Sequence, residues 1–305
     1  MKKTQNTLLI RYRNLKGWVL SSQVVVAVLL TMVYPIVFSL ILSFTDLKLS
    51  LGNIKFIGWS NYIWIFGRDS GFFQALLVSM GFSAVSTLLQ TVLGFLIAVM
   101  LYFMSGKLQS FFKTAIYLPV VLPSAVVSAM WIMMYAGDEF GLLNIIFGLT
   151  NPPFQWLGTV SRSFIAVVTA NTWRYLGITM VIYFVNMNAV SKDVIDGAKV
   201  DGANKFVIMM RIIFPLTWSA TTMNIIMSMI GGIKSFDLFY LFQTNANLTY
   251  ELTPVSVLIF RAGLGNAQVA NIRLALSVTM SLTLAFILMI ITLATNKLMS
   301  KKGDE

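Results

Sequence analysis

Ser191-Lys-Asp-Val-Ile-Asp-Gly-Ala-Lys-Val-Asp-Gly-Ala-Asn-Lys-Phe206, leading on to Arg211-Ile-Ile-Phe-Pro215, is a polar interruption between two long apolar runs. Its composition suits a short amphipathic helix: Ser191 or Asp193 can cap the start, Asp201-Gly202 breaks it, and Pro215 suits a turn into the next element. The flanking runs, 164–187 and 216–242, are each long enough to cross roughly 30 Å of bilayer hydrocarbon, where backbone polar groups must be bonded within their own helix. A charged helical loop between two spanning helices points to an all-α, polytopic membrane protein.

Four more runs, 18–44, 75–104, 112–135 and 272–298, bring the expected total to six transmembrane helices. Of the 305 residues 57% are hydrophobic and 11% charged, against about 25% charged in soluble domains, which excludes a soluble globular enzyme. The first run follows a basic stretch (Lys2, Lys3, Arg11, Arg13, Lys16), as a secretory signal would, but it is too long and no small-residue cleavage site follows, so it reads as an uncleaved helix. The expected organisation is a basic N-terminus at 1–17, a six-helix domain at 18–298 containing the loop at 190–215, and a tail at 299–305.

Net charge is +11. In so apolar a chain a basic excess reports orientation rather than nucleic-acid binding. With the N-terminus inside, 14 of the 22 basic residues fall in cytoplasmic segments, which places both termini in the cytoplasm. The chain has no Cys and no His, so thiolate or imidazole metal sites, Cys nucleophiles, His bases and disulfides are all excluded. There is no G-x-x-x-x-G-K-[ST]; Gly106-Lys107 lacks both the upstream Gly and the following hydroxyl residue. The chain is expected to bind no cofactor or metal of its own.

Ionisable residues within spans are costly and normally face a cavity or a partner. Arg174 lies near the middle of the fourth span, while Lys234 and Asp237, three apart in the fifth, could pair on one helix face. Arg174 has two open readings: a contact that holds spans together, or a substrate contact suited to a carboxylate or sulfate. Trp18, Trp59, Tyr62, Trp64, Trp156 and Trp218 fall near span ends and read as interfacial anchors. Gly94, Ala98, Gly231 and Gly232 read as points of close helix approach, and the 18 Met residues as adaptable packing.

Asp196-Gly197-Ala198, three residues to Gly202, nine more to Ile212, then Phe214 and Pro215, resembles the E-A-A-x-x-x-G-x9-I-x-L-P loop of bacterial ABC importer membrane subunits. Asp201-Gly202-Ala203 matches the D-G-A of the carbohydrate branch. The departures are Asp for Glu at 196, Gly for Ala at 197 and Phe for Leu at 214, and the two glycines are expected to loosen the helix by about 1 kcal/mol each. Further matches follow in order: Phe56-Ile-Gly-Trp-Ser-Asn-Tyr62; Leu118-Pro119 with Trp131; Gly141-Leu-Leu-Asn144; and Phe236-Asp-Leu-Phe-Tyr240, after which Asn245-Ala-Asn247 replaces the usual Gly-Gly-Pro.

The resemblance is to the maltose and glycerol-phosphate type permeases, and it implies a non-catalytic subunit of an ATP-driven sugar importer. Asp196, Gly197, Ala198, Asp201, Gly202 and Ala203 would form the coupling contact with an ATPase, with Ile212 and Pro215 fixing its exit angle. The implied partners are a second permease subunit in a heterodimer, two cytoplasmic ATPase subunits that bind ATP and Mg, and an extracytoplasmic solute-binding protein. The Asn-Thr-Trp segment that lines the sugar site in that family corresponds to Asn171, Thr172 and Trp173; Arg174 and Tyr175 adjoin it, and Ser228, Gly232, Lys234 and Ser235 face it from the fifth span. Arg174 there suggests an acidic oligosaccharide, such as a uronate-containing or sulfated disaccharide. The alternatives are a neutral oligosaccharide or glycerol-phosphate, or an ion-coupled secondary transporter in which Arg174, Lys234 and Asp237 act as relay groups.

Overall fold

The computed structural model describes residues 22–48, 54–67, 71–245, 250–265 and 273–303. The N-terminal segment 1–17, Trp18, and Ala246 and Asn247 of the replaced motif lie outside the described residues. The chain divides into two units, one of 1–67 with 261–284 and one of 68–260 with 285–305. Every described element is helical apart from isolated bridges.

In the first unit, α1 (Ser22–Leu42) is apolar and buries none of its most hydrophobic stretch. Its π-helical segment Leu29–Val33 directly precedes Pro35. A proline removes one N–H and its ring crowds the carbonyl four residues back, so widening the turn lets the helix continue; the Tyr34 N–H reaches back five residues to Leu29. The connection to α2 (Ser60–Phe66) is pinned by Asn61, whose Nδ2 donates to the Ser43 and Thr45 carbonyls at 2.8 and 2.9 Å. Tyr62 Oη lies 3.0 Å from Ser43 Oγ, and Gly58 supplies a left-handed turn at φ 56°. The Phe56 to Tyr62 motif is thus a clamp, in which the Tyr62 hydroxyl is engaged by Ser43.

The second unit holds α3 (Phe72–Tyr102), α4 (Gly106–Val121), α5 (Ser124–Met134), α6 (Leu142–Phe147), α7 (Val160–Asn188), α8 (Lys192–Val200), a helical run at 205–216, α10 (Trp218–Ile233) and α11 (Asp237–Asn245). We number the run at 205–216 α9. A 3₁₀ turn (Tyr250–Leu252) and α12 (Val255–Leu264) follow, and α13 (Leu274–Gly303) passes through both units. α13 runs on past the end of its apolar span at Met299, so residues 299–303 of the expected tail are helical. Among the described residues five helical stretches are long and apolar enough to cross a membrane, with α10 and α11 taken together over Trp218–Thr244 as one of them, or six if α4 and α5 together also count as one span.

The run expected as the third span, 112–135, is broken by a sharp bend. α4 and α5 meet at 101°. Pro123 pushes Leu122 into an extended conformation (ψ 138°), and the α5 ladder restarts with the Val127 N–H on the Pro123 carbonyl. The fifth span is also interrupted. α10 ends at Ile233 and α11 begins at Asp237, so Lys234 and Asp237 do not share a helix and do not form the expected ion pair.

Two cores form in this unit. One gathers Phe82, Trp131, Tyr135, Val167, Phe239 and Phe242; the other gathers Phe95, Met180, Tyr183, Met187, Ile208 and Ile213 with Ile195 of α8. Three glycines let backbones approach: a Cβ on Gly94 would stand 2.5 Å from Thr179 Cγ2, one on Gly177 2.6 Å from the Ile116 carbonyl, and one on Gly232 2.7 Å from Ser83 Cα. Gly231, expected to do the same, has nothing within 4 Å of a Cβ. Trp156 and Trp218 are also not lipid anchors alone, since their indoles donate to Asn144 Oδ1 and the Met299 carbonyl.

Candidate functional site

A cavity of about 500 Å³ opens between α7 and α10. Along α7 it is lined by Asn171, Arg174, Tyr175, Ile178, Thr179 and Ile182, the i, i+3, i+4 spacing of one helix face. Along α10 the same logic presents Met223, Asn224, Met227, Ser228, Gly231 and Gly232, and the interrupted segment adds Lys234, Ser235 and Asp237. Seven of the nine residues expected at a substrate site therefore meet: Asn171, Arg174, Tyr175, Ser228, Gly232, Lys234 and Ser235. Thr172 and Trp173 do not line it. Five consecutive helical residues span more than one full turn and cannot all share a face; Thr172 is buried, and Trp173 packs edge-on against Trp131 in the aromatic core at 5.8 Å.

The cavity also holds polar residues not anticipated from the sequence. Gln90 on α3, Thr179 and Asn224 are buried in its wall, and Asn224 Nδ2 has no hydrogen-bond partner. The available signal was an amide inside an otherwise apolar run, at Gln90 and again at Asn224, which carries the same kind of desolvation cost as a charge on a smaller scale.

Arg174 stands at the midpoint of α7, roughly 20 Å along the axis from either end. Among the described residues it has no carboxylate partner. Its Nη2 donates to the Leu122 carbonyl at 3.4 Å, its Nε is buried without a partner, and its guanidinium lies 5.1 Å from the Tyr175 ring centre. Across the α4–α5 break, the Ser124 hydroxyl donates to the Asp237 carboxylate at the start of α11. The cavity thus presents Arg174 and Lys234 as cations and Asp237 as an anion already engaged by a hydroxyl.

The polar loop folds as a capped helix. Ser191 Oγ accepts from the Asp193 N–H, Asp193 sits in the positive first turn, and Lys199 in the negative last turn. At its end the Gly202 and Ala203 N–H groups return to the Lys199 and Ala198 carbonyls at 3.0 and 2.9 Å, a Schellman closure that requires the left-handed φ of 80° at Gly202. Ile195 is buried, whereas Asp196, Gly197, Asp201 and Gly202 are exposed and Ala198 and Ala203 are partly so. Asp196 pairs with Lys199 at 2.7 Å on the open face. Pro215 does not form the expected turn. It lies inside α9, after the π-helical segment Ile208–Ile213, in which the Phe214 N–H reaches back to the Met209 carbonyl. Ile212 is half-buried on that segment beside the fully buried Ile213.

Residues 90–300 match the family described as binding-protein-dependent transport system inner membrane component. The chain is 25% identical over 283 residues to the arabinooligosaccharides transport system permease protein AraP of Bacillus subtilis, covering 92% of this chain and 87% of that one. It is 27% identical to the lactose transport system permease protein LacF of Rhizobium radiobacter, covering 83% and 86%. Among solved structures, a bacterial ABC transporter involved in the import of the acidic polysaccharide alginate shares the fold at a TM-score of 0.75 and 18% identity, over 95% of this chain and 98% of that one. The same fold recurs in an alginate transporter complexed with its alginate pentasaccharide-bound periplasmic protein, at a TM-score of 0.75 and 16% identity, with 94% of each chain covered. The chain belongs to this family: it is a multi-pass inner-membrane permease of a binding-protein-dependent ABC transporter, of the sugar-permease type, and is not itself catalytic.

Proposed function

We propose that this permease passes an oligosaccharide bearing an acidic group from a binding protein to the cytoplasm, through the cavity between α7 and α10, by alternating access. The observation that carries this reading is Arg174: a cation at the middle of a spanning helix, whose contacts among the described residues are a backbone carbonyl and the Tyr175 ring, on the wall of a cavity that several polar side chains enter. A charge at that depth is costly, and one without a carboxylate partner suits an anionic ligand. Lys234 adds to the positive field, while Asn171, Asn224, Gln90 and Ser228 offer neutral hydrogen-bonding groups for hydroxyls, and Tyr175 an aromatic face. A volume of about 500 Å³ falls in the ordinary range for small-molecule sites. The alginate cargo of the similar solved structures is theirs; here the acidic preference rests on Arg174.

The ATP that drives the cycle, with its Mg, is bound by two separate ATPase subunits. Asp196, Gly197, Ala198, Asp201, Gly202 and Ala203 on the exposed face and end of α8 form the contact with one of them, and Ile212 and Pro215 set the angle at which α9 leaves it. A second permease subunit, in a heterodimer, completes the path.

The test is ATP hydrolysis by the whole complex in liposomes with its binding protein, comparing wild type with Arg174→Ala on acidic and neutral oligosaccharides. Stimulation by acidic sugars that disappears in the variant is the expected result. Equal stimulation by neutral sugars, or stimulation unaffected by the variant, reduces Arg174 to a contact between α7 and the α4–α5 break.

A further inference from the structure

The Nε and Nη2 donors of Arg174 lie along one edge of the guanidinium, the two-donor fork that a carboxylate takes side-on. In this conformation Nη2 donates to the Leu122 carbonyl at 3.4 Å, and Nε is sealed from solvent with nothing to bond, so the fork is not filled. The carbonyl can accept there because the break has taken it out of a helical ladder. Pro123 has no N–H, Leu122 is extended, and the first ladder bond of α5 is made by the Pro123 carbonyl. On the other side of the break Ser124 is tied to Asp237. Two polar contacts therefore fasten the 101° bend to the cavity wall, one through Arg174 on α7 and one through Asp237 on α11.

We infer that the Leu122 carbonyl is a specificity-determining competitor for Arg174, and that its displacement couples cargo recognition to the α4–α5 bend. A sugar hydroxyl offers one neutral acceptor, no stronger than the carbonyl it would replace. A carboxylate offers two charge-assisted bonds to the same edge and satisfies Nε as well. Because Nε is sealed where it stands, the guanidinium must turn to present that edge; only the two charge-assisted bonds of an anionic group offset this, and the turn draws Nη2 off the Leu122 carbonyl and leaves Ser124–Asp237 as the remaining polar tie of the bend. A ligand shifts a conformational equilibrium only by its differential affinity for the two states, and here the difference is the bond at Leu122. This rests on the reading of Arg174 as a substrate contact.

The chain contains no cysteine, so Phe111→Cys on α4 with Met133→Cys on α5, both exposed positions, can carry a spin-label pair across the break. The distance distribution would be read on the complex in nanodiscs without nucleotide, using cysteine-free partner subunits, with digalacturonate and maltose at millimolar concentration as probes. Digalacturonate is expected to shift the distribution by several ångströms and maltose to leave it in place. Arg174→Lys, which keeps the charge but lacks the fork, is expected to abolish the shift, and Ser124→Ala to broaden the distribution before any sugar is added. A distribution that digalacturonate leaves unmoved, while it still stimulates ATP hydrolysis in an Arg174-dependent way, overturns the inference and leaves the proposed function standing. Loss of that Arg174 dependence in the hydrolysis assay overturns both.

Discussion

The Gly202 N–H donates to the Lys199 carbonyl at 3.0 Å from a backbone with φ of 80°, so this glycine closes α8 rather than weakening it. The sequence pattern alone counts Gly197 and Gly202 as equal liabilities. Their structural positions are opposite: Gly197 is inside the helix with open space where a Cβ would go, and Gly202 is beyond its last turn in the left-handed region.

Gly197→Ala is therefore expected to stabilise α8 by roughly 0.5–1 kcal/mol, and Gly202→Ala to destabilise its end by about 1–2 kcal/mol. Amide hydrogen exchange over residues 192–203 of the assembled transporter reads both signs in one experiment: slower exchange for the first, faster for the second. The same sign for both variants would contradict the Schellman closure.

Three glycines in the spans separate by the same geometric argument. A Cβ at Gly177 meets the Ile116 carbonyl and Tyr117 Cα, and one at Gly232 meets Ser83 Cα, so neither neighbour can step aside cheaply. Gly177→Ala and Gly232→Ala are expected to cost about 1–3 kcal/mol each by overpacking. Gly231→Ala, next to Gly232 but open to the cavity, is expected to leave the melting temperature of the purified complex unchanged and to alter only sugar-stimulated ATP hydrolysis.

Much of this fold was legible because lipid allows so few solutions. Apolar length placed the long helices, and the spacing from Asp196 to Pro215 placed the loop. The breaks were not legible from apolarity. Leu122-Pro123 sits in a run as hydrophobic as its neighbours, and hydropathy does not separate a straight helix from one bent by 101°. Pro215 misled in the opposite direction, since a proline that reads as a turn is absorbed by the π-helical segment before it, as Pro35 is in α1. At the site, consecutive sequence suggested 171–175 as a block, and helical periodicity selected Asn171, Arg174 and Tyr175 from it. The ion-coupled alternative took Arg174, Lys234 and Asp237 as relay groups; the family match, to a binding-protein-dependent ABC importer, goes against it, and Asp237 accepts from Ser124.

Asn144 gives a prediction outside the cavity. Its fully buried side chain joins the ends of the 136–156 connection: Nδ2 donates to the Ala136, Asp138 and Phe154 carbonyls at 3.0–3.3 Å, and Oδ1 accepts from Trp156 Nε1 at 2.8 Å. Asn144→Ala leaves those groups without a side-chain partner and is expected to cost roughly 1–3 kcal/mol. Asn144→Asp keeps the acceptor for Trp156 but turns the donor into a carboxylate facing three carbonyls, and is expected to cost at least as much. Limited proteolysis within 136–156, measured alongside the melting temperature, checks both; an Asp variant as resistant as wild type would show that the donor bonds contribute little.

Asp196 allows a structural role to be separated from a coupling role. Its pair with Lys199 spans three residues on an open helix face, with the two side chains 65% and 60% exposed. Exposed pairs of this kind contribute a few tenths of a kcal/mol at most. Asp196→Asn should therefore leave α8 folded, with hydrogen exchange over 192–200 close to wild type. If Asp196 meets the ATPase, the same variant lowers sugar-stimulated ATP hydrolysis by the whole complex severalfold, and Lys199→Met, which breaks the same pair from the other side, does not reproduce the loss. Equal losses in the two variants would assign the effect to the ion pair itself, and the exposed carboxylate would then be a feature of the helix rather than of its docking surface.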